Sequence, residues 1–506
     1  MAFTVERALK WWARDKPDTL ALHYDGETVT FGELNAWALR IAAYLDAQGV
    51  RPGDRVAMVA ANSLDYAALI VGTVLSGAIA NPLSFRASAR DLAKSFGITD
   101  PLVVFADEDR ASTVADALGL AGDRLLVSMA TVRALRDAPE PAAPAFEARP
   151  EDPVFIIGTS GSTGFPKGVI YSHGGTMTYA AEFVLMQPAT GHGGGALVTG
   201  PYSSASGTLC MLQFLAVGAT VYSESRFSPE SALRLLREHR ITTFLASTIF
   251  FERIAALPEF ENADLSSIAF AQISGARVNP ALLQRYREKG VVLRQAYGST
   301  EAGGAWAARD DTAVSEPEKC GPGAMFSRFK VVREDGAPAD PGESGEILIA
   351  SDCLATGYWN DPEQTAATFR DGWLHTADRG MLDARGNLTF IDRIKDIIIT
   401  GGLNVSAMEV EAAICEMPGI EETVVIAVPD DDFGEAPLAI VHGPDAAGIQ
   451  PAAVIRHCRE ALASYKVPRY VTVEPEPFPR LPSGKIDKKT VREAYAERHK
   501  VLEKLR

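Results

Sequence analysis

The run Gly158-Thr159-Ser160-Gly161-Ser162-Thr163-Gly164-Phe165-Pro166-Lys167-Gly168 has the make-up of an anion site. Glycine lets successive backbone N–H groups converge on one point, and Ser and Thr hydroxyls add further donors. Lys167 adds a positive charge, so a polyphosphate is the ligand that fits; the plain alternative is a flexible Gly/Ser connector. Spacing excludes two familiar phosphate loops. A P-loop needs Gly directly before its Lys and Ser or Thr directly after it, and here Pro166 and Gly168 hold those places. The dinucleotide pattern GxGxxG is absent too.

A second group is Gln295-Ala296-Tyr297-Gly298-Ser299-Thr300-Glu301, behind the apolar run Val291-Val292-Leu293. A ring, a turn, a hydroxyl and a carboxylate in that order can serve one nucleotide. Tyr297 can stack on a purine, Thr300 can bond a phosphate oxygen and Glu301 can bind Mg2+. That cation takes one or two carboxylates and completes its shell with phosphate oxygens and water. A Tyr-Gly turn is commonplace alone; its weight comes from following the glycine-rich stretch. Three later stretches are Gly372-Trp373-Leu374-His375-Thr376-Ala377-Asp378, then Asp392-Arg393-Ile394-Lys395-Asp396 running on to Gly401-Gly402, and Leu481-Pro482-Ser483-Gly484-Lys485. Singly they read as a packed histidine, a strand entry and a lysine on a surface turn.

With Ser274-Gly275-Ala276-Arg277-Val278-Asn279-Pro280, these stretches resemble the motifs of the adenylate-forming superfamily, and in particular its acyl-CoA synthetases. The resemblance covers nearly the whole chain. It implies a triphosphate cradle from Thr159, Ser160, Gly161, Ser162, Thr163, Gly164 and Lys167. It implies an adenine slot walled by Gly275, Ala276 and Arg277 on one side and by Ala296, Tyr297 and Gly298 on the other. Asp378 and Arg393 would hold the ribose, Lys395 would be a pivot, and Gly401 and Gly402 would line a pantetheine channel. Thr300, Glu301 and Lys485 would be catalytic, with Glu301 the metal ligand and Lys485 bridging the acid's carboxylate and the α-phosphate. The implied reaction consumes ATP with Mg2+, forms an acyl adenylate and transfers the acyl group to coenzyme A. No protein nucleophile is needed, in keeping with the lack of a Ser/His/Asp or Cys/His set. Two residues depart from the family pattern: Arg277 stands where Pro is usual, and Ala377 where Gly precedes the aspartate.

The acid pocket departs further. Many acyl-CoA synthetases carry Pro-x-Phe-His-x-x-Gly, and here the segment is Pro201-Tyr202-Ser203-Ser204-Ala205-Ser206-Gly207. Ser247, before Thr248, stands where related enzymes often have proline. Tyr202, Ser203, Ser204, Ser247 and Thr248 are therefore the expected acyl-pocket residues, and the small ones leave room for a bulky or medium-to-long apolar acid. The glycine-rich loop 191–195 can refill that room. Other outlets remain open: a carrier protein's phosphopantetheine as acceptor, or a chain specialised for thioester formation from a supplied adenylate. A non-catalytic nucleotide sensor would have no use for Lys485.

These residues need a large frame. A chain of 506 residues is long enough for two or more domains. The net charge of −16 argues against nucleic acid or an anionic membrane as partner. The five cysteines are scattered and read as reduced thiols of a cytosolic protein, monomeric or homodimeric. The start of the chain lacks the apolar core of a signal peptide, and the uncharged run 66–85 reads as a buried helix entering a strand rather than a membrane span. Apolar residues at helical spacing predict a helix over 5–16, and Thr30 predicts the cap of a helix from Phe31. Strands and helices alternate to about 290, then short strands fill 318–350. The Pro/Ala-rich 138–150 reads as a surface linker and the charged tail 488–506 as a helix. The expected fold is α/β. Residues 1–393 form a large domain of two parallel-rich sheets with helices and a small β subdomain, and 394–506 a smaller mobile α+β domain hinged near Lys395.

Overall fold

The computed structural model describes residues 3–122, 124–139, 141, 146–160, 166–274, 280–400, 403–481 and 485–505. Gly161, Ser162, Thr163 and Gly164, Gly275, Ala276 and Arg277, and Gly401 and Gly402 lie outside the described residues. The chain forms two compact units, Met1–Phe329 with Ile349–Leu374 and Lys330–Leu348 with His375–Arg506. Residues 375–393, grouped by sequence with the N-terminal domain, thus pack with the second unit.

Local signals explain many elements of the first unit. Thr30 and Glu33 form the reciprocal cap of the helix Phe31–Ala47: each side chain accepts the other's backbone N–H, at 3.2 and 2.8 Å. The uncharged run is the helix Leu64–Ser76, ended by Gly77 in the left-handed region and followed by the strand Ile79–Leu83. From Tyr66 on, both are buried along their whole length, which is why the run lacks charge; Asp65, before it, is only partly buried and pairs with Arg133. Within the 138–150 segment, residues 146–148 are more anchored than a linker: the Phe146 ring lies where a side chain on Gly77 would stand, and Ala148 is buried.

Two sheets carry the first unit's site. One runs Gly357–Tyr358, Pro166–Ser172, Pro153–Ser160, Ile79–Leu83, Arg55–Val59, Val103–Ala106 and Leu125–Ser128. The other runs Gly304–Ala307, Leu293–Ser299, Phe270–Ser274, Thr243–Ser247, Gly195–Val198, Thr220–Ser223, Leu20–Tyr24 and Glu27–Thr30. Most neighbours are parallel, with helices between, as the alternating pattern predicts.

The strands expected over 318–350 continue further. A sheet of Ser327–Val332, Ser344–Ser351, Trp373–Leu382 and Phe369–Arg370 also takes in Leu388–Arg393. Beyond it the second unit has an α+β sheet in which Glu422–Asp430, Gly434–His442 and Ile397–Thr400 pair antiparallel and Tyr470–Glu474 adds parallel. The helix Ala407–Cys415 packs on it through Val410 and Ile414. The tail is less helical than its composition suggests: the helix stops at Tyr495, and a short 3-10 turn follows at Arg498–Val501. Among the described residues no helix is long and apolar enough to cross a membrane.

Candidate functional site

The glycine-rich stretch is not loop throughout. Gly158, Thr159 and Ser160 end one strand and Lys167 lies on the next, opposite Thr159 in an antiparallel hairpin. Lys167 is thereby held on a rigid strand. Its ammonium lies 4.9 Å from the centre of the Tyr358 ring, and no acid pairs with it among the described residues.

In the second sheet, parallel strands end at Val198, Ser247, Ser274 and Ser299, so the segments beyond them gather along one edge. Ligands bind at that edge in open α/β sheets, where strand ends leave room between diverging connections. Pro201–Gly207, Ser247-Thr248 and Tyr297–Glu301 all belong to it. The Tyr297 motif is a hairpin: Tyr297 pairs with Trp306 and Gly298 with Ala305. Gly298 is required there, since a Cβ would stand 2.2 Å from the Gly304 carbonyl oxygen. Ala296 and Tyr297 are buried, the Tyr297 ring edge-on to Phe329 at 6.0 Å.

Thr300 and Glu301 sit in the turn of that hairpin, held by the neighbouring sheet. The Tyr171 hydroxyl donates to the Thr300 carbonyl at 2.6 Å, and the Tyr358 hydroxyl donates to Glu301 Oε1 at 3.0 Å. The described residues contain no group of three or more His, Cys, Asp or Glu able to hold a metal. A single carboxylate such as Glu301 suits Mg2+ bound chiefly through the phosphates of a nucleotide.

Tyr202, expected in the acyl pocket, is fully buried and stands edge-on to Tyr66 at 5.3 Å, so its ring packs as core. An aromatic ring gains more from burial among other rings than from lining a polar cleft. Ser203 is half-buried, and the Ser204 hydroxyl is tied to the Pro201 carbonyl at 2.8 Å. Ser247 precedes the helix Thr248–Ala255, and Thr248 is buried beside the Ser274 carbonyl.

The second unit brings Asp378, Arg393 and Lys485 together. Asp378 and Arg393 face each other in an antiparallel pair, with Arg393 Nε 3.8 Å from Asp378 Oδ1. The Lys485 side chain remains exposed to solvent, although neighbouring protein displaces part of the water around its ammonium. Burial pushes its pKa below the ordinary lysine value, the Arg393 charge pushes the same way, and Asp378 opposes both. His375 is a packed residue, its Nδ1 3.3 Å from Glu346 Oε2. Lys395 lies in the 3-10 turn Ile394–Asp396, between two braces. Buried Asp392 accepts from Ser406 Oγ at 2.7 Å and from Met408 N at 3.0 Å, and Asp396 pairs with Arg492 at 2.7 Å.

Sequence reasoning missed three residues around this site. Tyr171 and Tyr358 lack any motif that marks them. Glu182 did leave a signal, being the one acid in the helix His173–Met186. It is buried and accepts from Trp306 Nε1 at 2.8 Å and Ser327 Oγ at 2.9 Å, fixing the strand that pairs with Tyr297.

Residues 9–359 match the model of the AMP-binding enzyme family, and residues 409–485 match the AMP-binding enzyme C-terminal domain. The chain belongs to the AMP-binding enzyme family. It is 35% identical over 487 residues to a feruloyl-CoA synthase of Amycolatopsis, covering 96% of this chain and 97% of that protein. Identity to a long-chain-fatty-acid–CoA ligase of Mycobacterium tuberculosis is 32% over 494 residues, covering 92% and 93%. Among solved structures, o-succinylbenzoate coenzyme A synthetase of Bacillus subtilis, in complex with ATP and magnesium ion, is 26% identical. It superposes with a TM-score of 0.87, covering 96% of this chain and 99% of that one. As an AMP-binding enzyme of the adenylate-forming superfamily, this protein is an ATP-dependent, AMP-forming acyl-CoA ligase that uses ATP, Mg2+ and CoA.

Proposed function

We propose that the acid this ligase activates is bulky or long and apolar, and that Lys485 drives only the first of two steps. In that step a carboxylate oxygen of the acid attacks the α-phosphorus of ATP, and the P–O bond to pyrophosphate breaks. In the second, the CoA thiol loses its proton and attacks the acyl carbonyl, and the C–O bond to AMP breaks. Two anions have to meet in the first step, so positioning and charge stabilisation are the protein's work. Mg2+, when bound with ATP, neutralises phosphate charge; Glu301 would hold it and Thr300 would bond a phosphate oxygen. Tyr297 would pack the purine, Asp378 and Arg393 the ribose, and Lys167 the outer phosphates. A pivot at Lys395, moving 394–506 as a body, would withdraw Lys485 between the steps.

What supports this reading most is the setting of Lys485, solvent-accessible, within electrostatic reach of Arg393 and Asp378, and with no acid bonded to its ammonium among the described residues. Such a cation is free to serve substrate oxygens. The small side chains of Ser203, Ser204 and Ser247 support a roomy acid site, and relatives named for ferulate and long-chain fatty acids define the first acids to test.

The test is pyrophosphate release from ATP with cinnamate-type and C8–C18 acids, then AMP release on adding CoA. Lys485→Ala is expected to cut the first by roughly two to three orders of magnitude and to spare thioester formation from preformed acyl adenylate. Because burial lowers the Lys485 pKa, adenylation falls as pH rises through a value below the ordinary lysine range, while the second step does not follow. Equal loss in both steps for Lys485→Ala would overturn the assignment. AMP release with a phosphopantetheinyl carrier protein but not with CoA would move the acceptor.

A further inference from the structure

Lys167 stands on a strand of one sheet and Glu301 in a hairpin turn of the other, and one side chain touches both. Tyr358 is the second residue of the two-residue strand Gly357–Tyr358, which pairs antiparallel with the strand carrying Lys167 in the register Tyr358↔Val169 and Gly357↔Ile170. The Trp359 N–H donates to the Gly168 carbonyl at 2.7 Å and closes the junction. From below, Thr365 Oγ1 accepts the Tyr358 N–H at 2.9 Å. A Cβ on Gly357 would stand 2.5 Å from Thr365, and the φ of +143° at Gly357 suits glycine alone, so the approach is specific. Tyr358 is 7% exposed, so its ring has little freedom.

That rigid ring presents two different groups. Its face lies under the Lys167 ammonium at 4.9 Å, within cation–π range. Its hydroxyl donates to Glu301 Oε1 at 3.0 Å. Donation to a carboxylate enriches the oxygen and the ring, so the two contacts reinforce each other. Tyr171, from the Lys167 strand, holds the neighbouring Thr300 carbonyl, and among the described residues its hydroxyl has no hydrogen bond to either charged side chain.

We propose that Tyr358 is a positioning residue that sets the separation between the phosphate-binding ammonium of Lys167 and the metal-binding carboxylate of Glu301. It orients one oxygen of Glu301 and leaves the other for the cation, while restraining Lys167 at the height of the outer phosphates. The idea rests on the reading of Glu301 as the Mg2+ ligand. Removing the hydroxyl then weakens the metal's contribution to ATP binding, and removing the ring also weakens the phosphate contribution.

The experiment is calorimetric titration of ATP into the protein, without acid or CoA, across a series of Mg2+ concentrations. Tyr358→Phe keeps the ring, so at saturating Mg2+ its affinity for ATP is expected to match the parent. The Mg2+ concentration for half-maximal effect rises about tenfold, the loss of one hydrogen bond to a charged group. Tyr358→Leu shows that shift and also loses about fivefold in ATP affinity at saturating Mg2+, through the missing cation–π contact. Glu301→Gln is the control for the underlying reading. If it shifts the Mg2+ dependence and Tyr358→Phe does not, the positioning role is wrong while the metal ligand stands. If neither shifts it, the metal assignment has failed as well. A purely structural role predicts a lower melting temperature for Tyr358→Phe with unchanged Mg2+ dependence, and that result also overturns the proposal.

Discussion

At the residue before Asp378, the chain carries Ala377 with φ of +55°, in the left-handed region. A Cβ in that conformation costs about 1–2 kcal/mol, which explains why related enzymes place Gly there. The position persists because its N–H donates to Glu346 Oε1 at 3.1 Å and because Asp378 next to it is bonded to Thr376 Oγ1. Ala377→Gly is therefore expected to stabilise the protein by about 0.5–1 kcal/mol, part of the gain being offset by the greater freedom of unfolded glycine. Denaturant unfolding checks this; a loss of stability would mean that the strain is relieved elsewhere. Residue types at Lys167, Thr300 and Glu301 were legible as chemistry in the sequence. Their partners were not, because Tyr171 and Tyr358 act through contacts 129 and 57 residues distant along the chain.

Elements decide what those residues face. The hairpin Leu293–Ser299 with Gly304–Ala307 holds Thr300 and Glu301 in its turn, and it closes only because Gly298 lets the partner backbone approach. Gly298→Ala has to spread the hairpin, at about 1–3 kcal/mol for the overpacked contact. The expected result is a lower melting temperature together with weakened ATP binding. Normal ATP affinity in a destabilised variant would separate the hairpin from the nucleotide site. Strands of this kind are partly legible. The run Val291-Val292-Leu293 marks an apolar entry, yet the pairing of Tyr297 with Trp306 has no local signal. The same holds for Lys167, whose surroundings read as loop but whose backbone is strand, since the ladder to Thr159 outweighs glycine's weak preference. Capping was legible at Thr30, whose hydroxyl accepts the Glu33 N–H in the first turn of its helix; Ser63 and Ser172 cap theirs in the same way.

At the scale of the whole molecule, each compact unit encloses cores of its own, one built around Phe155, Tyr171 and Phe214 and another around Val424, Leu438 and Ile440. Units with separate cores unfold with partial independence, so calorimetry is expected to resolve two transitions rather than one two-state step. Ile440→Ala, at a fully buried site, is expected to cost about 2–5 kcal/mol and to lower one transition only. A single transition that shifts as a whole would show that the two cores are energetically one. The sequence by itself determined the chemistry on offer and the α/β plan, because hydrophobic period, caps and glycine-bearing motifs are properties of neighbouring residues. Only the tertiary structure decided that Tyr358 joins Lys167 to Glu301, that Tyr202 packs as core, and that Lys485 lies beside Arg393 and Asp378. Those relations arise from pairings between distant strands, which the burial of whole faces selects and no short stretch of chain encodes.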